Sequence, residues 1–152
     1  MLVDRIGKTP LIRLGRILSG QVDEIARLAG LAAQHPGRGR DAILARLKEQ
    51  VADLMASSSG LSEDRLAQEA LLLATKADIR EELDRLAAHV ASARALLAAG
   101  GPAGRKLDFL SQEFNREANT LCSKSNAVDL TAIGLDLKAV IDQFREQMQN
   151  LE

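Results

Sequence analysis

Two glutamates one helical turn apart, Glu113 and Glu117, stand in the run "LDFLSQEFNREANTLCSKS" (107–125). Carboxylates at i and i+4 on one helix can converge on a single cation or a single water, and left bare they repel each other weakly. A second row, Asp78, Glu82, Arg85 and His89, is spaced 4, 3, 4, which also places it along one flank of a helix. Glu82 and His89 share an azimuth but lie two turns apart, about 10 Å, so they do not chelate one ion by themselves. Facing a helix that carries Glu113 and Glu117, they could line one cleft. Histidine with carboxylates is a ligand set for Mn²⁺, Mg²⁺ or Zn²⁺, with Mn²⁺ and Mg²⁺ favoured where oxygen dominates.

The same run spends Asp108, Gln112, Asn115 and Asn119 on another face. Asparagine is a poor helix former and gains nothing on an exposed mid-helix face, so these residues read as a bonded polar seam, structural or catalytic. Arg105, Lys106, Arg116 and Lys124 could neutralise phosphates or complement the local acids. Spacing alone leaves a plainer alternative open: Glu113 and Glu117 around Arg116 also fit a solvated ion-pair face, and His89 fits a surface or capping histidine.

These residues need helices to position them. Leu107, Leu110, Phe114, Ala118 and Leu121 fall within about 80° of one another on a wheel, which makes them the buried stripe, with Glu117 on its flank. Phe109 points nearly opposite, so a second face of this helix is expected to be covered by a neighbouring helix or subunit. Upstream, a segment beginning near Ser62 runs to about Ala99, roughly 57 Å if straight. Its apolar row is first Leu66, Ala70, Leu73 and Ala77, then Ile79, Leu83, Leu86, Val90, Ala93 and Leu97. The row shifts near Thr75–Asp78, which predicts a kink or a change of packing partner there. Earlier helices carry Val22, Ile25, Leu28 and Leu31, and Ile43, Leu44, Leu47, Val51 and Leu54. The last carries Leu130, Ile133, Leu137, Val140, Phe144, Met148 and Leu151, close to a coiled-coil seam. Turns fall at "QHPGRGR" (34–40), "SSSG" (57–60), "AGGPAG" (99–104) and "SKSNAVD" (123–129), the last with Asp129 as a candidate cap. Residues 1–18, with a Thr-Pro, two glycines and several β-branched residues, read as an extended or irregular leader ahead of a single helical domain over 19–152.

Composition agrees. The 152 residues include no Trp or Tyr and only three Phe, while Ala and Leu dominate, so the fold class is all-α: long antiparallel helices in an elongated bundle of coiled-coil-like hairpins. Twenty basic residues balance twenty-one acidic ones, so any nucleic-acid partner must be held by a local cluster. No apolar run is long enough to span a membrane. The start lacks a signal-peptide core and the single Cys122 has no internal partner, so a cytoplasmic location is expected, with no small-molecule cofactor. An elongated bundle exposes apolar edges, so a homo-oligomer is expected.

"EELDRLAAHV" (81–90), "GRKLDFLSQEFNREANTLCSKS" (104–125) and "FREQMQNLE" (144–152), in this order and spacing, resemble the YicC-type bacterial endoribonucleases. The likeness is concentrated in 78–152 and diffuse over 19–77; the first 18 residues do not fit it. "IGKTPLIRL" within those 18 is similar instead to the opening of pyridoxal-phosphate-dependent cysteine synthases, over about a dozen residues and with no counterpart of their cofactor domain downstream. Members of the endoribonuclease family are longer, with an N-terminal domain containing sheet, so the resemblance implies that this chain is the central and C-terminal helical part. It implies metal-dependent hydrolysis of RNA phosphodiester bonds in a ring-like cytoplasmic oligomer. On that reading Glu81, Glu82, His89, Glu113 and Glu117 supply metal ligands, with Glu82, His89, Glu113 and Glu117 as the catalytic set. Arg85, Arg105, Arg116 and Lys124 contact RNA, and Asp108, Gln112, Asn115 and Asn119 support them. The competing expectation is a helical oligomerisation or interaction module, inactive without the missing N-terminal domain.

Overall fold

The computed structural model describes the backbone of residues 2–36, 38–57, 62–125 and 127–149, and within these the side chains from residue 13 onward, Ser57 excepted. The described residues form six helices and no strand: α1 (Leu2–Gln34), α2 (Arg40–Ser57), α3 (Glu63–Lys76), α4 (Arg80–Ala99), α5 (Gly104–Lys124) and α6 (Val128–Gln149). The all-α expectation is met. No described helix is long and apolar enough to cross a membrane.

The ends of the helices follow from local chemistry. Ser62 caps α3 by accepting from the Arg65 amide at 3.4 Å, and Glu63 and Asp64 occupy the first turn, where carboxylates complement the helix dipole. The chain breaks at Ala77–Ile79, where the apolar row shifts, and a break replaces the single long segment expected from sequence. Asp78 restarts the helix: its carboxylate accepts from the Arg80 amide at 2.9 Å. Gly100, at φ 69°, closes α4 in the left-handed region that favours glycine. Asp129 lies within the first turn of α6 rather than ahead of it, and its carboxylate is 3.6 Å from His35. The "SSSG" stop, Leu151 and parts of the turns at Gly37 and Asn126 lie outside the described residues.

Four helices make the main core. Asp23 of α1 meets Arg94 of α4 at 3.0 Å, and Leu18 and Leu97 line one cavity further along, so α1 and α4 are antiparallel. Lys124 reaches Glu82 at 2.8 Å while Leu96 and Lys106 share a groove, so α4 and α5 are antiparallel too. Cys122 abuts Gly134, and Asp108 lines a cavity with Met148, which sets α6 antiparallel to α5. The result is an α1–α4–α5–α6 ring around Leu18, Ile25, Leu86, Leu107, Phe114, Leu121, Leu137 and Phe144. The α2–α3 hairpin is inserted between α1 and α4 and packs around a smaller cluster of Ile43, Ala74 and Ala77.

Further expectations are corrected. Residues 2–18 are not an extended leader but the first half of α1. Leu14 and Leu18 extend the row of Val22, Ile25, Leu28 and Ala32 at helical spacing, and both are buried in the main core. Burial of that stripe carries the helix across Gly15 and Gly20, and α1 also runs unbroken through Thr9 and Pro10. In α3 the buried residues are Ala70 and Ala74, continued by Ala77 just past its end, while Leu73 is exposed, because small residues let α2 and α3 approach closely. Leu31 and Leu54, predicted on core stripes, are exposed as well.

Candidate functional site

The site is built along the seam between α4 and α5. The stripe Leu107, Leu110, Phe114, Ala118 and Leu121 is buried as the wheel predicts. Antiparallel packing then slides the flank of α5 along the flank of α4 that carries Glu82, Arg85 and His89. Glu117, on the edge of the stripe, goes under with it and is only 2% exposed, as is Glu82 across the seam. The reading of Glu117 as a solvated surface glutamate is therefore excluded.

Buried carboxylates need partners, and each of these has a cation. Arg85 donates from Nε to Glu117 Oε1 at 2.9 Å and from Nη2 to Glu82 Oε1 at 3.4 Å. Lys124 donates to the same Glu82 oxygen at 2.8 Å. The Glu117 carboxylate, first by its hydrogen bond, holds the Arg85 guanidinium protonated even more firmly than usual. Arg85 also reaches the exposed Glu81 at 3.5 Å.

One turn further along α4, His89 faces α5. One donor atom each from His89, Glu113 and Glu117 lie within 4.8 Å of one another. His89 Nε2 is buried without a hydrogen-bond partner, and it stands 4.0 Å from Glu113 Oε2, beyond hydrogen-bond reach. A buried, unpaired ring nitrogen costs about 1–3 kcal/mol unless something else satisfies it. Donors on one octahedral cation at about 2.1 Å are about 3 Å apart when adjacent and about 4 Å when opposite. Small side-chain adjustments bring these three within that range, so the residues fit a divalent cation, and the orphaned nitrogen is where it would be felt most. The His89 ring is braced by an edge-on contact with Phe114, itself edge-on to Phe144, both phenylalanines fully buried.

The structure sorts the predicted site residues into groups. His89, Glu113 and Glu117 come together. Glu82 is next to them along the seam but its Oε1 is taken by Arg85 and Lys124, and Glu81 points outward, 80% exposed at its side chain. Arg85 and Lys124 are committed to these acids. Arg116 is exposed, 4.0 Å from Glu113, and Arg105 is exposed near the start of α5 beside Lys106. Of the amide seam, Gln112 donates to Asp108 on its own helix at 3.1 Å; Asn119 is exposed and Asn115 half-buried. Phe109 is 59% exposed next to Ala95 and Leu96, so no described helix covers it. Two cavities lie at the other end of the seam, one lined by Leu96, Leu97 and Lys106 and one by Ala95, Leu96 and Phe109. Sequence reasoning missed the Arg85–Glu117 pair and the bracing role of Phe114. Both depend on contacts between different helices, 32 positions apart for Arg85 and Glu117 and about 25–30 for Phe114 with His89 and Phe144, and only the position of Arg85 between Glu82 and His89 hinted at the first.

The sequence model of the family described as endoribonuclease YicC-like, C-terminal, matches residues 32–152. The chain belongs to this family. It is similar to the probable endoribonuclease YicC of Haemophilus influenzae, 54% identical over 92 residues, which is 60% of this chain and 32% of that protein. It is also similar to the probable endoribonuclease YicC of Clostridioides difficile, 37% identical over 107 residues, 70% of this chain and 36% of that protein. The chain thus spans about a third of the length of the curated relatives it matches. The YicC-like region contains α2 to α6 and every residue of the His89–Glu113–Glu117 cluster, while most of α1 precedes it.

Proposed function

We propose that this chain is the site-bearing helical portion of an endoribonuclease that hydrolyses RNA phosphodiester bonds with a divalent cation, Mn²⁺ or Mg²⁺. The observation that carries the reading is the buried, unpartnered Nε2 of His89 beside two glutamates, in a chain of the YicC-like family. His89, Glu113 and Glu117 would hold the cation. Bound there, it would supply Lewis acidity toward a phosphate oxygen and a lowered pKa for an attacking water.

The remaining residues bind and orient. Arg105 and Arg116 are exposed on α5, free to meet the phosphodiester backbone, where guanidinium groups pair well with phosphate. Asp108, Gln112, Asn115 and Asn119 lie on the same helix and would hold ribose groups or the arginines in place. Phe114 keeps the His89 ring at its angle. The protein would work in the cytoplasm as a homo-oligomer. The exposed apolar side chains that call for a second copy are Leu71, Leu72 and Leu73 on α3 and, separately, Phe109 on α5. Those leucines also favour the second reading, a helical interaction module that is silent without a further domain.

Incubation of the purified chain with end-labelled RNA separates the two. The enzyme reading expects cleavage that needs Mn²⁺ or Mg²⁺, stops with EDTA, and is lost in Glu113→Gln/Glu117→Gln while the helical circular-dichroism signal remains. Cleavage that survives EDTA or the double substitution sinks the metal site. Stable oligomers without cleavage select the module.

A further inference from the structure

Glu117 sits in the candidate cation cluster yet is tied to residues outside it. The Lys124 ammonium lies 3.4 Å from the backbone carbonyl of Asp78, at the break between α3 and α4. It holds Glu82 Oε1 at 2.8 Å; the same oxygen accepts from Arg85 Nη2 at 3.4 Å; and Arg85 Nε donates to Glu117 Oε1 at 2.9 Å. The chain of contacts starts at a fixed point of the backbone and ends on a candidate ligand. We propose that Arg85 is a positioning residue for cation binding. It engages one oxygen of Glu117 so that the carboxylate presents its other oxygen toward His89 and Glu113, while Glu82, held by Lys124, fixes Arg85. This rests on the reading of His89, Glu113 and Glu117 as cation ligands, and it moves Arg85 from contacting RNA to orienting a ligand.

The geometry favours orientation over simple charge neutralisation. A guanidinium is planar and presents Nε and Nη2 in a fixed fork, so one group spans carboxylates on two helices; an ammonium is a point charge and cannot hold both in one plane. Arg85 also repels an incoming cation, which works against binding. Its side chain is 47% exposed, so water and salt screen that repulsion, whereas Glu117 is buried and has no freedom to find the ligand geometry unaided. Loss of a group that orients a metal ligand typically weakens affinity by about 10–100-fold.

Titration of the purified chain with Mn²⁺ by calorimetry tests this. Wild type is expected to bind one Mn²⁺, and Arg85→Met and Arg85→Lys to bind it about 10–100-fold more weakly with helicity retained. As a control, Arg94→Met breaks the Asp23–Arg94 contact on the side of α4 that meets α1 rather than α5, and is expected to leave Mn²⁺ affinity unchanged. Should Arg85→Met fail to fold, Arg85→Lys decides, because it keeps a cation between the two buried acids. Wild-type or tighter affinity in Arg85→Lys, or an equal loss in Arg94→Met, overturns the positioning role. Absence of Mn²⁺ binding by wild type, or unchanged binding by His89→Ala, overturns the site reading instead.

Discussion

The ring of His89 stands edge-on to Phe114, centroids 6.1 Å apart and planes 86° apart, and Phe114 repeats that relationship with Phe144 at 6.0 Å. The positive ring edge meeting the negative ring face makes this arrangement favourable, and it joins the candidate ligand directly to the centre of the core. Phe114 is fully buried between α4 and α6. Phe114→Ala is therefore expected to cost about 3–5 kcal/mol in urea denaturation. Phe114→Leu, which keeps most of the volume, is expected to cost about 1 kcal/mol yet to weaken Mn²⁺ binding, because the flat support under His89 is gone. Unchanged Mn²⁺ affinity in a folded Phe114→Leu protein would show that the ring is not a brace.

Gly134 is needed for close approach of α5 and α6. A Cβ built there would lie 2.6 Å from Cys122 Sγ and 3.1 Å from Leu121 Cδ2. Gly134→Ala gains about 1 kcal/mol of helix propensity but overpacks the contact at about 1–3 kcal/mol, so a net loss of about 1 kcal/mol is expected. Cys122→Ala removes the nearest obstacle. In the Cys122→Ala background the Gly134→Ala change is expected to be neutral or stabilising, and thermal melts of the four proteins measure the coupling.

Burial pushes the Cys122 thiol above its ordinary pKa, opposed in part by the nearby Lys138. The folded chain thus keeps its thiol proton to higher pH than the unfolded chain. Below the unfolded pKa this makes no demand on stability; as pH rises past that value, the unfolded state loses its proton first and stability falls. Alkylation by iodoacetamide is expected to be slow at neutral pH and to rise with a midpoint above that of the urea-unfolded chain. Lys138→Met should move the midpoint further up, and a midpoint at or below the unfolded one refutes the account.

The α2–α3 hairpin rests on Ile43, Ala74 and Ala77, a far smaller cluster than the one that holds α1, α4, α5 and α6 together. Little apolar area is lost when it opens, so it should open without the bundle. Hydrogen exchange followed by mass spectrometry is expected to exchange α2 and α3 well before the middle of α4, α5 and α6. Equal protection throughout would mean that the hairpin and bundle form one cooperative unit.

Much of this was legible in the order of residues. The stripe of α5 from Leu107 to Leu121 is buried as the wheel requires, because a single stripe of 3.6 periodicity has only one way to face a core. The break near Thr75–Asp78 was visible as a phase shift in the apolar row. Where breaker residues compete with periodicity the sequence misleads: the Thr-Pro of the first 18 residues reads as a helix stop, yet α1 runs unbroken past it and begins its buried stripe at Leu14 and Leu18. Exposure of Leu73 and burial of Ala74 were equally hidden, since a close helix pair prefers alanine to leucine at its contact.

The sequence by itself determined the all-α class, the buried faces of α4, α5 and α6, and the placing of His89, Glu113 and Glu117 on flanks that could meet. It also carried the family motifs. Only the tertiary structure decided that Glu82 and Glu117 go under, that Arg85 and Lys124 are spent on them, and that His89 Nε2 is left buried without a partner. The physical reason is that helical periodicity fixes the azimuth of a side chain on its own helix. Its desolvation and its partner depend on how far one helix slides along another. That slide is set by core packing between residues such as Leu86, Leu107 and Phe114, which are far apart in the chain.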